Sequence, residues 1–298
     1  MKLLSRQYEG EADYERMRRF LVRILPLAGT RQYCTIGDLD WWRWTDDPSM
    51  LTWIRLWLDA KENVVGFTWS NEDEVDVIVD PAHPDLDEEM YAWAEQHRRR
   101  EEPDQPTLTA WSYETHTSRN EILRRRGYTP INKAYLLRRR SLTAPLPAPV
   151  VPAGYVVRHV RGEVDLEPRV AVHRDAFAPS RMTIAKHRAV MAAATYRPEL
   201  DLVVAAADGS FAAYCIAWFD EANRYGVFEP VGTHSAHRQR GLGKAVLLEG
   251  MRRLHALGAE CVGVWSLSDS LPANRLYDSV GLTVDDRCGG WTKALLRA

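Results

Sequence analysis

Arg238-Gln239-Arg240-Gly241-Leu242-Gly243-Lys244 separates two segments of opposite character. The stretch before it, Gly226 to Thr233, reads as a strand. The stretch after it, Leu242 to about Ala256, sets Val246, Leu247, Leu248, Met251 and Leu254 on one face at helical spacing. Gly258 then closes that helix as a left-handed cap. Gly241 and Gly243 remove Cβ atoms where the backbone must come close to something. The helix start adds unpaired N–H groups and the positive end of its dipole. Arg238, Arg240 and Lys244 add charge. Converging N–H donors, room to approach and positive charge are what a diphosphate needs. The plainer alternative is a glycine-containing strand–helix turn with surface arginines. Neither G-x-x-x-x-G-K-[ST] nor a G-x-G-x-x-G after the first strand is present, so the common nucleotide loops do not apply.

Working outward, Leu202 to Ala207 and Phe211 to Phe219 read as strands joined by an Asp208-Gly209 turn. Glu260 to Trp265 is a further strand, Pro272 to Ser279 a short helix, and the segment near Trp291 a last strand. This is an α/β (α+β) sandwich on a mixed sheet. Upstream, residues 142–153 hold four prolines in twelve residues, which predicts an extended, semi-rigid connector. The domains expected are therefore 1–141, the linker 142–153, and 154–298.

The two sides of that linker repeat each other. Met1-Lys2-Leu3-Leu4 and Tyr155-Val156-Val157-Arg158 each read as a first strand before a helix. Asn274, Gly281 and Leu282 lie 154 residues beyond Asn120, Gly127 and Tyr128, and the same offset pairs Thr233–His237 with Val79–His83. A fixed offset across separate segments predicts duplication of one fold. In the first copy Pro84 stands at the position of Arg238, and Asp87 and Glu89 replace the two glycines. Carboxylates there repel a diphosphate, so the first half keeps the fold and lacks the loop. It is rich in tryptophan instead: Trp41, Trp42, Trp44, Trp53, Trp57, Trp69, Trp93 and Trp111. The segment from Trp41 to Asp47 offers aromatic faces and carboxylates for an acceptor pocket, but packing in the core and the domain interface is the favoured reading. Arg98-Arg99-Arg100-Glu101-Glu102 reads as a solvated helix end.

Composition sets the outer bounds. A net charge of −2 over 298 residues gives no basic field for nucleic acid. No apolar run is long enough to span a bilayer, and the first residues lack a secretion signal's apolar core. Cys34, Cys215, Cys261 and Cys288 form no C-x-x-C pair, which predicts reduced, mostly buried thiols and no metal. The expectation is a cytoplasmic protein, monomer or homodimer, without nucleic-acid or membrane partners.

Arg-x-x-Gly-x-Gly between strand and helix, followed by Leu276-Tyr277-x-x-x-Gly281-Leu282, resembles the GNAT superfamily of acyl-CoA N-acyltransferases. With the offset repeat, the whole chain looks like a tandem member. The resemblance implies acetyl-CoA as donor. It places the pantetheine arm on Val231, Gly232 and Thr233, and the diphosphate on Gln239, Arg240, Gly241, Leu242, Gly243 and Lys244. The family's usual asparagine, seven residues before the tyrosine, is Ser270 here, with Asn274 as a nearby substitute.

The resemblance also implies Tyr277 as the acid for the leaving thiolate and Glu229, on the strand entering the loop, as the general base. For Glu229 the plain alternative is a strand-end glutamate or a salt bridge; for Tyr277, a half-buried tyrosine bonded to backbone. His234 and His237 flank the site with no carboxylate partner evident in the sequence. The function expected is acetyl transfer to a small-molecule amine. A silent acyl-CoA-binding or scaffold protein, and a protein-lysine or N-terminal acetyltransferase, are the rivals. Antibiotic amines, sugar amines, polyamines and amino acids all stay open as acceptors.

Overall fold

The computed structural model describes residues 3–29, 31–46, 48–71, 73–101 and 107–295. The first half runs β1 (Leu4–Gln7), α1 (Glu11–Ala28), α2 (Ile36–Thr45), β2 (Arg55–Leu58), β3 (Val64–Asn71), β4 (Glu74–Val79), α3 (Leu86–Glu101), β5 (Thr107–Tyr113), α4 (Thr117–Arg125) and β6 (Thr129–Ser141). The second half repeats that order: β7 (Tyr155–His159), α5 (Leu166–Ala176), α6 (Ile184–Met191), β8 (Asp201–Ala206), β9 (Phe211–Asp220), β10 (Tyr225–Thr233), α7 (Leu242–Ala256), β11 (Cys261–Leu267), α8 (Leu271–Ser279) and β12 (Thr283–Ala294). Met1, Lys2, Asp47 and Glu102, which entered the sequence reading, lie outside the described residues.

The offset of 154 relates the ends of β4 and β10, both ends of β5 and β11, both ends of α4 and α8, and the starts of β6 and β12. It repeats at the level of single bonds. Asn120 Nδ2 donates to the carbonyls of Tyr113 and Glu114, and Asn274 Nδ2 to those of Leu267 and Ser268. Gly127 and Gly281 both take positive φ, 84° and 72°. Tyr128 N–H donates to Leu123 O as Leu282 N–H donates to Tyr277 O. The asparagine in each copy satisfies the carbonyls that a strand leaves open where the chain turns into a helix.

All twelve strands form one sheet, in the order β1-β2-β3-β4-β5-β12-β6-β11-β10-β9-β8-β7. That order is symmetric about its middle because the halves exchange their last strands. β6 pairs with β11, from Ser141↔Cys261 to Tyr135↔Leu267. β12 pairs with β5, from Cys288↔Tyr113 to Ala294↔Thr107. β6 and β12 then pair with each other. The proline-rich stretch between β6 and β7 has no helix or strand, and its Leu146 and Val151 pack on the second-half core.

β9 is buried along all ten residues, so it reads as a nearly unbroken apolar run. One of its faces meets α7 through Val246, Leu247, Met251 and Leu254. Each such side chain contributes about 1.5–3 kcal/mol when fully buried. Its other face receives α2 from the first half. There Gly37 approaches so closely that a Cβ would stand 2.5 Å from Trp218. Lys186 Nζ on α6 donates to Thr45 O at 2.5 Å, and Asn223 Nδ2 to Val22 O at 2.9 Å, so polar contacts also cross between the halves.

One reading needs correction. Arg98 is not part of a solvated end: it is fully buried, with its guanidinium 5.3 Å from the Trp53 ring centroid. Only Arg99 to Glu101 face solvent there. The thiols of Cys34, Cys215 and Cys288 are buried, and all four cysteines are free.

Candidate active site

The site begins where two parallel strands part. β10 and β11 pair from Tyr225↔Cys261 to Phe228↔Val264 and no further. β10 continues on β9 as far as Thr233↔Ala213, and β11 continues on β6 as far as Leu267. The parting coincides with a shift of β10's register on β9 between Phe228 and Val231, at Glu229-Pro230. Trp218 Nε1 donates to Glu229 O at 2.7 Å and braces this bulge. Past it, the edge of β10 facing away from β9, along Val231, Gly232 and Thr233, has no strand partner.

The turn that follows is built for close approach. A short 3-10 turn, Ser235–His237, leads to extended Arg238 and then to Gln239 and Gly241 with φ of 62° and 76°. No side chain caps α7 at Gly241, and a Cβ placed there would meet nothing within 4 Å. Gly243 differs: its Cβ would stand 3.1 Å from Thr233 Oγ1 and from Leu276, so glycine lets the helix sit against the end of β10. Asp175 on α5 pins the turn by accepting from Ser235 N–H and from Ser235 Oγ at 2.8 Å. His234 Nδ1 lies 3.5 Å from the same carboxylate. This is the partner that the sequence left invisible, because it comes from another helix. Arg240 donates to Tyr155 Oη at 2.8 Å, and that hydroxyl meets His237 Nδ1 at 2.9 Å. Arg238 Nε donates to Thr233 O at 3.4 Å. Gln239 and Lys244 are exposed beside the helix start.

Glu229 is half-buried, and its carboxylate has no hydrogen-bond or ion-pair partner among the described residues. Loss of water, with a smaller push from Asp38, raises its pKa to about 8. Tyr277 is buried in the α8 turn, and its phenol is pushed above the usual value by burial and then by the charge of Glu229. Base and acid candidates thus sense one another across the parting strands. Ser270 is the N-cap residue of α8 and makes no side-chain cap bond. Asn274 is fully engaged by protein: Leu267 O and Ser268 O take its N–H groups, and Ser266 Oγ and Arg138 Nη2 reach its oxygen at 2.8 and 3.3 Å.

Two cavities meet at Glu229. One, of about 310 Å³, runs under Trp41, Phe177, Met182 and Pro230. The other, of about 270 Å³, lies between the halves. Trp42 and Asp46 of the Trp41–Asp47 segment line it, while Trp41 packs in the core. Asp38, Glu74, Asp76, Tyr135 and Trp265 also line it and escaped the sequence reading. Asp38 had a local signal, since Thr35 and Asp38 form a capping box at the start of α2. The others come from strands brought together only by the exchanged sheet.

The first-half counterpart of the turn carries carboxylates in place of glycines, beside a cavity of about 90 Å³ lined by Pro84, Asp87, His116 and Arg119. Asp87, where the second half has Gly241, is buried in a two-bond pair with Arg119, at 3.1 and 2.7 Å. Glu89, the counterpart of Gly243, accepts from Trp57 Nε1 at 2.7 Å. The buried cation at this place, Arg119, is thus neutralised by the protein's own carboxylate.

Comparison with known proteins agrees with this division. Residues 170–282 match the Acetyltransferase (GNAT) family model. Mycothiol acetyltransferase of Pseudarthrobacter chlorophenolicus is 28% identical over 186 residues, covering 59% of this chain and 57% of its own length. That of Kineococcus radiotolerans is 30% identical over 178 residues, covering 58% and 57%. The chain thus spans little more than half the length of these relatives. Among solved structures, a tandem GNAT protein from the clavulanic acid biosynthesis pathway superposes with a TM-score of 0.72 at 16% identity, over 100% of this chain and 99% of that one. A GCN5-related N-acetyltransferase from Sphaerobacter thermophilus gives 0.68 at 20% identity, over 99% and 96%. The GNAT family model thus falls within the second half, and the chain as a whole shares the fold of a tandem GNAT protein.

Proposed function

We propose that this chain transfers an acetyl group from acetyl-CoA to an amine of a small molecule, with the chemistry confined to the second half. The observation that carries the reading is the parting of β10 and β11 beside an uncapped α7, with Glu229 at the gap and Tyr277 buried on α8 within reach of the Glu229 charge. The open edge at Val231, Gly232 and Thr233 offers main-chain groups to a pantetheine arm. The turn from Arg238 to Lys244 offers N–H groups, a dipole and three basic side chains to a diphosphate. Acetyl-CoA supplies the activated acetyl thioester.

Glu229, held near neutral pKa, takes the proton of the attacking amine. Most of a free alkylamine is protonated at neutral pH, so a base within the site matters. As the C–N bond forms and the C–S bond breaks, the Tyr277 hydroxyl supplies a proton at the sulfur. Burial and the Glu229 charge make it a weaker donor at rest, and the second effect is lifted once Glu229 has taken the amine's proton. Main-chain N–H groups near Thr233 face the carbonyl oxygen as charge develops there. Ser270 and Asn274 stand at the start of α8, where Asn274 acts chiefly by bracing β11.

The test is to give the second half the first half's turn. Gly241→Asp with Gly243→Glu should weaken CoA binding by more than about 100-fold, as two carboxylates replace open space beside the helix start. Calorimetric titration with CoA and thiol release with an amine panel read this out. CoA affinity equal to the parent's would refute the turn's assignment.

A further inference from the structure

We propose that the acceptor is a small di- or polyamine, with one amino group at Glu229 and a second held as an ammonium by Asp76 in the cavity between the halves. This rests on the acetyltransferase reading above and names its substrate class.

Among the described residues the cavity wall holds five carboxylates, Asp38, Asp46, Glu74, Asp76 and Glu229, and no lysine or arginine. Three of them are occupied. Asp38 accepts from Thr35 N–H and Oγ1, Asp46 from Trp69 Nε1 at 3.1 Å, and Glu74 from Trp111 Nε1 at 3.1 Å and Lys133 at 2.9 Å. Among the described residues Asp76 and Glu229 make no side-chain hydrogen bond or ion pair, and the one cation that acts on Asp76, Arg119, is paired with Asp87. They come from opposite halves, Asp76 on β4 and Glu229 on β10. Asp38 and Tyr135 line the same cavity, and the charges of Asp76 and Glu229 both act on Tyr135, as that of Asp38 acts on both carboxyls. Half-buried carboxylates without partners are costly unless a cation arrives or a proton stays on. Burial and the charges of Glu74, Asp46 and Asp38 raise the Asp76 carboxyl to about 8.

The rest of the wall suits the carbon skeleton of such a ligand. Trp42, Trp69, Trp111, Trp265, Tyr33 and Tyr135 enclose the space. Trp69 and Trp111 direct their N–H groups at carboxylates, which fixes those rings. Indole faces attract ammonium groups and cover methylenes. A monoamine would neutralise one carboxylate and leave the other exposed to its neighbours. Two amino groups satisfy both, and only the one at Glu229 lies on the strand that leads into the glycine turn.

Putrescine, spermidine and butylamine, titrated calorimetrically into the full chain without acetyl-CoA, test this. The two polyvalent amines should bind at least tenfold more tightly than butylamine. Asp76→Asn should remove roughly 10- to 100-fold of their affinity, leaving butylamine binding and CoA binding unchanged. Unchanged CoA binding also verifies that the variant is folded, and Asp46→Asn, on another element, should show the same trend. Equal binding of mono- and diamines, or diamine binding indifferent to Asp76→Asn, overturns the acceptor class. Failure of the parent chain to bind CoA overturns instead the acetyltransferase reading beneath it.

Discussion

The turn from β4 to α3 and the turn from β10 to α7 occupy equivalent places in the two copies, and they differ in what fills them. In the second half Gly241 faces open space and α7 starts uncapped. In the first half Asp87 folds inward onto Arg119 and Glu89 onto Trp57. The same fold thus accommodates a glycine turn in one copy and a buried carboxylate–arginine pair in the other. What the first half contributes instead is wall: α2 seals β9, and Trp42, Trp69 and Trp111 close the cavity at Glu229. The repeat thus divided into one copy suited to chemistry and one suited to enclosure.

The largest effect expected from breaking this division is at Glu229: β4 and β5 also part beside a carboxylate, Asp76, but only Glu229 stands next to the glycine turn. Glu229→Gln should lower kcat/KM by about 10²–10⁴-fold. In the parent, the base is active only when deprotonated and its folded pKa lies near 8. The rate should therefore rise with pH through that value and fall below it. In Glu229→Gln this limb should vanish, leaving only the rise that follows the free amine's own ionisation near 10.4. Tyr277→Phe should lower kcat less, with CoA affinity retained. A limb near pH 8 that persists in Glu229→Gln would remove Glu229 as the base.

The next comparison is energetic. Asp87→Ala leaves Arg119 buried without its carboxylate, which should destabilise the chain by about 3–5 kcal/mol. CoA affinity at the second-half turn should be unchanged under native conditions. Because β6 and β12 are exchanged, the loss should shift one common unfolding transition, not release a stable second half. Denaturant unfolding followed by tryptophan fluorescence and by CoA binding would separate the outcomes. A surviving CoA-binding intermediate would show that the second half is independent of the exchange.

Much of the second half was legible because its signals are local. The helix from Leu242 to Ala256 starts and stops where its apolar spacing and Gly258 place it. The repeat was legible because it keeps its offset from the end of β4 onward. The exchange of last strands was not, since pairing partners more than a hundred residues apart leave no local pattern. The acidic cavity was hidden for the same reason: Asp76 reads as an ordinary alternating strand residue until the sheet brings β4 near β10. Arg98 misled because a run of arginines reads as solvated, whereas one of them turns inward to the Trp53 ring.

The smallest effect tests whether a shared residue kept a shared task. Asn120 and Asn274 make the same two donations to strand-end carbonyls, one in the half whose turn carries carboxylates and one in the half whose turn carries glycines. If the pair is structural, Asn120→Ala and Asn274→Ala should each cost about 1–3 kcal/mol of stability by leaving those carbonyls unpaired. Asn274→Ala should cost somewhat more, since Arg138 and Ser266 also lose their contact. Neither should change CoA affinity by more than about twofold, well under the 1.4 kcal/mol that separates tenfold steps. A selective loss of CoA binding in Asn274→Ala alone would assign it to the cofactor, as the family resemblance implies. The presence of the same bonds in the half that lacks the turn argues for the structural task, because nothing there would otherwise hold the asparagine in place.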